Sequence, residues 1–440
     1  MAEQRLPLTA AQTWVWYAQQ ADPHNPVYKA AEYVEIHGPV DLSLLERAVS
    51  RAVQDTDAFR VRFELDEDGP WQVLDAATEW EMPVVDLRDS ADPEAAAQSW
   101  MDADLRATVD PTVPPLFSFA VLRLTSGRSA LYAGVHHLLL DGFGFSLFLQ
   151  RIAEVYTALE RGEPVPETAM GSLRELVEDE VGYRESERFS QDREYWMRQL
   201  ADMPEIVSPS GRGTSGAKGF LRETGQVPAP VVNRLRALAR RCRSSLPTVA
   251  MAALALYVHR ETDAEDMLLE LVVTGRQGAT ARNTPGMLTN APPLRVQVSS
   301  ELSVGELVRH AATRARGVLQ HQRYPSMFLP WDLGLVETGD VPEPPAMNIM
   351  GYDRTLHFGE HPVTLHNVSN GSVENLTVNV YERADDGSLR IDFNANPAFY
   401  GQDDNAAHHR NFINLLHALA EAEPEQLVTH VAPRTPAIAR

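Results

Sequence analysis

Residues 130–150 read ALYAGVHHLLLDGFGFSLFLQ. The apolar run from Ala130 to Val135 ends on two histidines, His136 and His137, and Asp141 and Gly142 follow after three leucines. The run reads as a buried strand. The stretch after Gly144, FSLFLQRIAEVYTALERG, reads as an amphipathic helix ending near Gly162. Neighbouring side chains on a strand point to opposite faces, so the two rings are expected in different surroundings, one in a core and one at a cleft. A strand-to-helix junction presents side chains and free backbone N–H groups to a ligand. Two readings of Asp141 stay open: a dyad partner of His137, or a loop pin held by an arginine elsewhere. A second pair, His408 and His409 in DDNAAHHRNFINLLHALA, lies in a helical pattern with no glycine turn after it and reads as a solvated helix face.

Working outward, the first segment alternates strands and helices. AAEYVEI has period-two alternation, and Asp41 stands as N-cap of a helix carrying Leu45, Ala48, Val49 and Ala52. FRVRFEL and EDGPWQVL read as a strand, a turn and a return strand; LFSFAVLRL and SALYAGVHH read as further strands after the helix DPEAAAQSWMDADLRATV. A long charged helical stretch follows EPVPET, and PSGRGTSGAKG reads as a linker. In the second half, helices are expected at 229–243, 246–261, 303–321 and 403–421, and strands at 267–274, 292–299, 345–351, 374–382 and 389–395. The pattern suggests two α/β lobes of similar size. The boundaries are an N-terminal lobe at 1–175, an inter-lobe helix and linker at 176–215, a C-terminal lobe at 216–430, and a linker-like tail at 431–440.

The chain has 440 residues, 39 basic against 61 acidic, and a net charge of -22. A uniformly acidic surface repels phosphate backbones, so nucleic acid is not an expected partner. The single cysteine, Cys242, fits a reducing cytoplasm and excludes an internal disulfide or thiolate cluster. It reads as a partly buried helix residue whose neighbouring arginines favour the thiolate. No signal peptide and no membrane-spanning run is expected.

The sequence lacks a G-x-S-x-G elbow, an H-E-x-x-H helix and any metal-ligand spacing, so no metal is expected. A histidine without a covalent nucleophile suits direct transfer between two bound substrates, one bringing the nucleophile and the other the acyl group.

HHLLLDG matches the HHxxxDG motif shared by chloramphenicol acetyltransferases and the condensation domains of nonribosomal peptide synthetases. Other stretches narrow the resemblance. LTAAQTWVWYAQQ is similar to the family's opening motif, with Gln12 and Trp16 in place and Trp14 where arginine is usual. DTDAFRVRF resembles the second motif, with Arg60, Arg62 and Phe63 in place; RFSQDREYWMRQLADMPE resembles the segment joining the lobes; TPGMLTNAPPLRV and HQRYP resemble the fifth and sixth motifs. The wording is closest to the first condensation domains of the bacillibactin and enterobactin synthetases. Those tend to carry a glutamine–arginine pair where Ala133 and Gly134 stand here, a departure on the donor side.

The resemblance implies an α/β (α+β) fold of two chloramphenicol-acetyltransferase-like lobes in a V-shaped pseudo-dimer with a central tunnel. It implies amide bond formation between a donor acyl or aminoacyl thioester and the amine of an acceptor aminoacyl thioester. Both substrates ride on phosphopantetheine arms delivered by donor and acceptor carrier proteins, with no tightly bound cofactor and with a neighbouring adenylation domain. His137 is the expected catalytic residue, as base or as orienting group, and the backbone N–H near Gly142 is an expected donor to substrate. Asp141 is expected to pair with Arg276 or with Arg62, and His136 to pack inside the N-lobe. Asn290, Ser372, Glu374 and Asn375 are assigned to the tunnel wall. The alternatives are a free-standing acyltransferase of the same fold, an epimerising or heterocyclising relative, and a non-catalytic recruitment domain. Two intact histidines, and the absence of the epimerisation motif, weigh toward condensation.

Overall fold

The structure is a computed structural model that describes residues 4–74, 79–211, 216, 218–335, 343–351, 356–383 and 385–431. Most of the PSGRGTSGAKG linker and nearly all of the tail lie outside them. In chain order the elements are β1 (Gln4–Pro7), α1 (Ala10–Ala21), β2 (Lys29–His37), α2 (Leu42–Asp55), β3 (Val61–Asp66), β4 (Gly69–Leu74) and β5 (Val84–Asp86). There follow α3 (Pro93–Arg106), β6 (Phe117–Thr125), β7 (Arg128–His136), α4 (Gly142–Glu160), α5 (Leu173–Arg184), α6 (Glu187–Gln199) and β8 (Leu221–Val227). The second half holds α7 (Ala229–Arg241), α8 (Leu246–Thr262), β9 (Asp266–Val272), α9 (Gly278–Asn283), β10 (Pro293–Gln297), α10 (Val304–Gln320) and α11 (Leu329–Asp332). It ends with β11 (Ala346–Met350), β12 (Val363–Asn370), β13 (Leu376–Glu382), β14 (Leu389–Ala395) and α12 (Gln402–Glu421).

The chain divides into two compact units. The first comprises Met1–Ser186, Arg276–Thr289 and Arg354–Ser372; the second comprises Glu187–Gly275, Asn290–Asp353 and Val373–Arg440. Two segments that a boundary at 216 would leave in the C-terminal lobe thus belong to the first unit. The cause is local. β12 pairs antiparallel with β2 at the edge of the first unit's sheet, and Ala281, Met287 and Phe358 are buried in its core.

The first unit's five-stranded sheet has the order β12-β2-β7-β6-β5, beside a small sheet β1-β4-β3. Both faces of β7 are covered. Leu131, Ala133 and Val135 pack with Leu45 and Val49 of α2 and Phe148 and Ile152 of α4, whereas Ala130 and Tyr132 pack with Ala97 and Met101 of α3. A strand buried on both faces reads as a continuous apolar run, which is why 130–135 does not alternate. Asp41 caps α2 by accepting from the N–H groups of Ser43 and Leu44, as its position before the apolar stripe indicates.

In the second unit, a six-stranded sheet of order β10-β9-β11-β13-β14-β8 is covered by α7, α8, α10 and α12. β8 escapes the period-two reading because LRETGQV is a polar edge strand that buries only Val227 fully. The charged stretch after EPVPET resolves into α5 and α6, which break at Glu185–Ser186.

His408 and His409 correct the sequence reading. They are not on a solvated face: both are buried, His408 against the Tyr257 hydroxyl at 2.5 Å and His409 Nε2 3.2 Å from the Ile391 carbonyl. Their face of α12 packs on β14 and on α8, and satisfied polar rings can line such a face. Burial drives the pKa of His408 down to about 4. Cys242 also differs. It is fully buried at the C-cap of α7, and burial pushes its thiol pKa up despite Arg309 and Arg241 nearby.

Candidate functional site

β7 ends at His136, one residue earlier than strand alternation across both histidines requires. His137 opens a tight turn whose backbone is tied down: its N–H donates to the Tyr28 carbonyl at 2.8 Å, and the Leu139 N–H donates to the His136 carbonyl at 2.9 Å. Gln12 of the opening motif holds the next residue, its Nε2 donating to the Leu138 carbonyl at 2.8 Å. The two rings separate as expected, through the turn rather than through strand pleating.

His136 is sealed in the first unit. Its Nε2 lies 3.2 Å from Gln19 Oε1, and its Nδ1 accepts from the Leu138 N–H at 3.2 Å. Burial, with smaller repulsion from His137 and Lys29, drives its pKa down to about 3, so the ring is neutral. His137 is only half buried. Its Nδ1 stands 3.0 Å from the Leu140 carbonyl and its Nε2 3.0 Å from the Asn370 carbonyl. Gly371, at φ +87°, lies so close that a Cβ there would fall 2.5 Å from the His137 ring.

Asp141 is the N-cap of α4 and does not touch the His137 ring through any hydrogen bond of its own. Its Oδ1 accepts from the Gly144 N–H at 2.8 Å, and its Oδ2 accepts from Arg276 Nη1 at 2.5 Å and from the N–H groups of Leu288 and Thr289 at 2.9 and 3.1 Å. Both side chains of the pair are 1% exposed. Arg276 also donates to the Gly286 carbonyl at 3.0 Å and lies over the Phe143 ring. Asp141 therefore ties the start of α4 to the 276–289 segment. Of the two arginines considered, Arg276 makes the pair, whereas Arg62 bonds to Glu64 on its own strand at 2.9 Å. Gly142 is the first residue of α4, where N–H groups have no intrahelical acceptor.

Of the remaining residues, Asn290, Glu374 and Asn375 belong to the second unit and Ser372 to the first. Asn290 pins the turn after α10: its Nδ2 donates to the carbonyls of Gln322 and Tyr324, and its Oδ1 accepts from Ser326. Asn375 is buried, its Oδ1 accepting from Ser208 at 2.7 Å and Tyr400 at 3.0 Å. Both amides are thus committed to holding the second unit together. Ser372 is half buried directly after Gly371. Glu374 lies near Glu270 and Glu343, whose carboxyl pKa values are raised, first by burial and then by the neighbouring carboxylates. This group was not legible beforehand, because its members come from three distant stretches.

On the far face of β7, Lys29 Nζ donates to Asp104 Oδ2 at 3.2 Å, and Ser118 and Tyr132 donate to the same oxygen at 2.9 and 2.7 Å. Burial and then Asp104 push the Tyr132 phenol pKa up. A Cβ at Gly134 would stand 2.8–2.9 Å from Ser118, Tyr132 and Asp104, so this network occupies the space that a side chain at 134 would need.

Among the described residues, no cluster of three or more His, Cys, Asp or Glu side chains is arranged to hold a metal, and no helix is long and apolar enough to cross a membrane. What the arrangement offers is one accessible imidazole, oriented by backbone carbonyls, beside a helix start braced by a buried ion pair.

The model of the condensation domain matches residues 2–433. The dimodular nonribosomal peptide synthase of Bacillus subtilis (strain 168) is 39% identical over 416 residues, covering 94% of this chain and 18% of that protein. The isonitrile lipopeptide synthase of Streptomyces coeruleorubidus is 41% identical over 431 residues, covering 98% of this chain and 29% of that protein. This chain therefore spans less than a third of either relative's length. The starter condensation domain of rhizomide synthetase, solved in complex with C8-CoA, superposes with a TM-score of 0.92 at 36% identity and 97% coverage of both chains. On a family match that runs almost end to end, the chain belongs to the condensation-domain family.

Proposed function

We propose that this chain forms an amide bond between a donor acyl thioester and the amine of an acceptor aminoacyl thioester, each tethered to a carrier protein by a phosphopantetheine arm. The amine nitrogen attacks the donor carbonyl, the C–N bond forms, and the C–S bond breaks. The amine's proton passes to His137 Nε2 and on to the departing pantetheine thiolate. A positioned base contributes about 10²–10⁴-fold, and holding the reactants together supplies much of the rest. Asp141 and Arg276 keep the loop in place, and the start of α4 at Gly142 offers N–H groups to the developing oxyanion.

The observation that carries the reading is the half-buried His137, flanked at 3.0 Å by the carbonyls of Leu140 and Asn370 beside a sealed, neutral His136. No serine or cysteine nucleophile is needed, because both reactants arrive activated or nucleophilic. A lipid-type acyl donor suits the chain better than an aryl acid. Ala133 and Gly134 stand where the resembling aryl-acid domains tend to carry a glutamine–arginine pair, a lipopeptide synthase is among its relatives, and a starter domain with C8-CoA shares its fold. An adenylation domain would load the acceptor carrier.

The test is a transfer assay with separately loaded carriers and a panel of aryl and fatty acyl donors. The reading expects fatty acyl mass to move to the aminoacyl acceptor with wild type and not with His137→Ala. Transfer of aryl acids alone would overturn the donor assignment. Equal transfer by His137→Ala would overturn the mechanism.

A further inference from the structure

Both ring nitrogens of His137 face backbone oxygens at 3.0 Å, Leu140 on Nδ1 and Asn370 on Nε2. A neutral imidazole has one N–H and one lone pair. Only one of the two contacts is then a hydrogen bond, and the other sets a lone pair against a carbonyl oxygen. Which of the two is the hydrogen bond depends on the tautomer, and in either one the Asn370 oxygen stands against Nε2. On the condensation reading Nε2 is the nitrogen that must meet the acceptor amine, and the Asn370 oxygen stands in its way.

That oxygen is aimed by its surroundings. The pairing of β12 with β2 shifts register between Asn367 and Ser369, just before the turn. Ser369 Oγ accepts from the Gly371 N–H at 3.2 Å, and Asn367 Nδ2 donates to Asn370 Oδ1 at 2.7 Å. Ser369 is only 4% exposed, so its hydroxyl has little water to turn to instead. Gly371 adopts φ +87°, which favours glycine, and no side chain fits between it and the ring. A glycine at this place is also free to rotate the Asn370–Gly371 peptide.

Resting on the condensation reading, we propose that the Ser369–Gly371 turn is a positioning device that caps His137 Nε2 with the Asn370 carbonyl and uncaps it, by rotation of that peptide, when the acceptor amine takes its place. Asn367 and Ser369 set how firmly the cap is held. Asn370 and Gly371 act through His137 and are positioning residues.

Diethyl pyrocarbonate, which carbethoxylates a bare imidazole nitrogen, reads the cap directly and needs no carrier. Peptide mapping of the intact domain would follow His137, with exposed His24 and His430 as internal references and buried His136, His408 and His409 as controls for unfolding. In wild type, His137 should react more slowly than His24. In Ser369→Ala and Asn367→Ala it should react faster by up to about tenfold, the weight of one hydrogen bond, with the buried histidines still protected. Ser369→Thr, which keeps the hydroxyl, should restore protection. In the carrier assay, Gly371→Ala should lower kcat about 10²-fold with little change in KM for the acceptor carrier, because its Cβ forces the turn and the His137 ring out of register. A wild-type His137 as reactive as His24, or one whose rate is unmoved in both loosened variants, overturns the cap. Absence of transfer by wild type, with the protection pattern intact, would instead defeat the condensation reading and leave the cap standing.

Discussion

At the scale of single residues, the division of labour follows from burial. His136 and His137 are adjacent, yet one ring is neutral and sealed whereas the other is reachable, because the chain leaves the strand between them. Asp141 was legible as a loop pin or as a dyad partner, and its four acceptor contacts, all to Arg276 or to backbone N–H groups, fit the pin. Removing one partner of a buried ion pair costs about 3–5 kcal/mol. Asp141→Ala is therefore expected to lower the thermal midpoint markedly and to lose transfer together with folded protein, as differential scanning calorimetry beside the carrier assay would show. Full stability with abolished turnover would assign Asp141 to the chemistry instead.

At the scale of elements, β7 was readable as a continuous apolar run and α4 from the helical spacing of its apolar residues, both local signals. β12 was not. VTLHNVSN carries a weak pattern, and its place beside β2 is fixed by a partner more than three hundred residues away in sequence. His408 and His409 were misread for a related reason: a helix that packs on a sheet on one side and on another helix on a second has no clean polar face. The α3–β7 contact makes a separate prediction. Gly134→Ala forces a methyl into the Lys29–Asp104–Tyr132 network at under 3 Å. Overpacking of this kind costs about 1–3 kcal/mol, so the variant should unfold at lower denaturant with an unchanged m-value. Wild-type stability would mean that the network yields and that a side chain at 134 is tolerated.

At the scale of the whole molecule, each unit carries its own core, and both bury a histidine that resists protonation, His136 at about 3 and His408 at about 4 against an ordinary 6.5. Below pH 6.5 the unfolded chain binds protons that the folded chain refuses. Stability is therefore full above pH 6.5 and falls through the window down to about pH 4, by about 1.4 kcal/mol per pH unit for each ring. Urea titrations at pH 7 and pH 5 should show that loss, and His408→Gln should reduce its slope; an identical slope in the variant would contradict the assignment. Family membership was legible from ordered motifs along nearly the whole chain, whereas no motif in the sequence names the substrates. The central claim is that His137 serves a transfer between two tethered reactants. Its most direct measurement is the intact mass of both carrier proteins after incubation with this domain. The account predicts that the acceptor gains the donor's acyl mass, the donor loses it, and His137→Ala slows the exchange by about 10²–10⁴-fold. Undiminished exchange in that variant would contradict it.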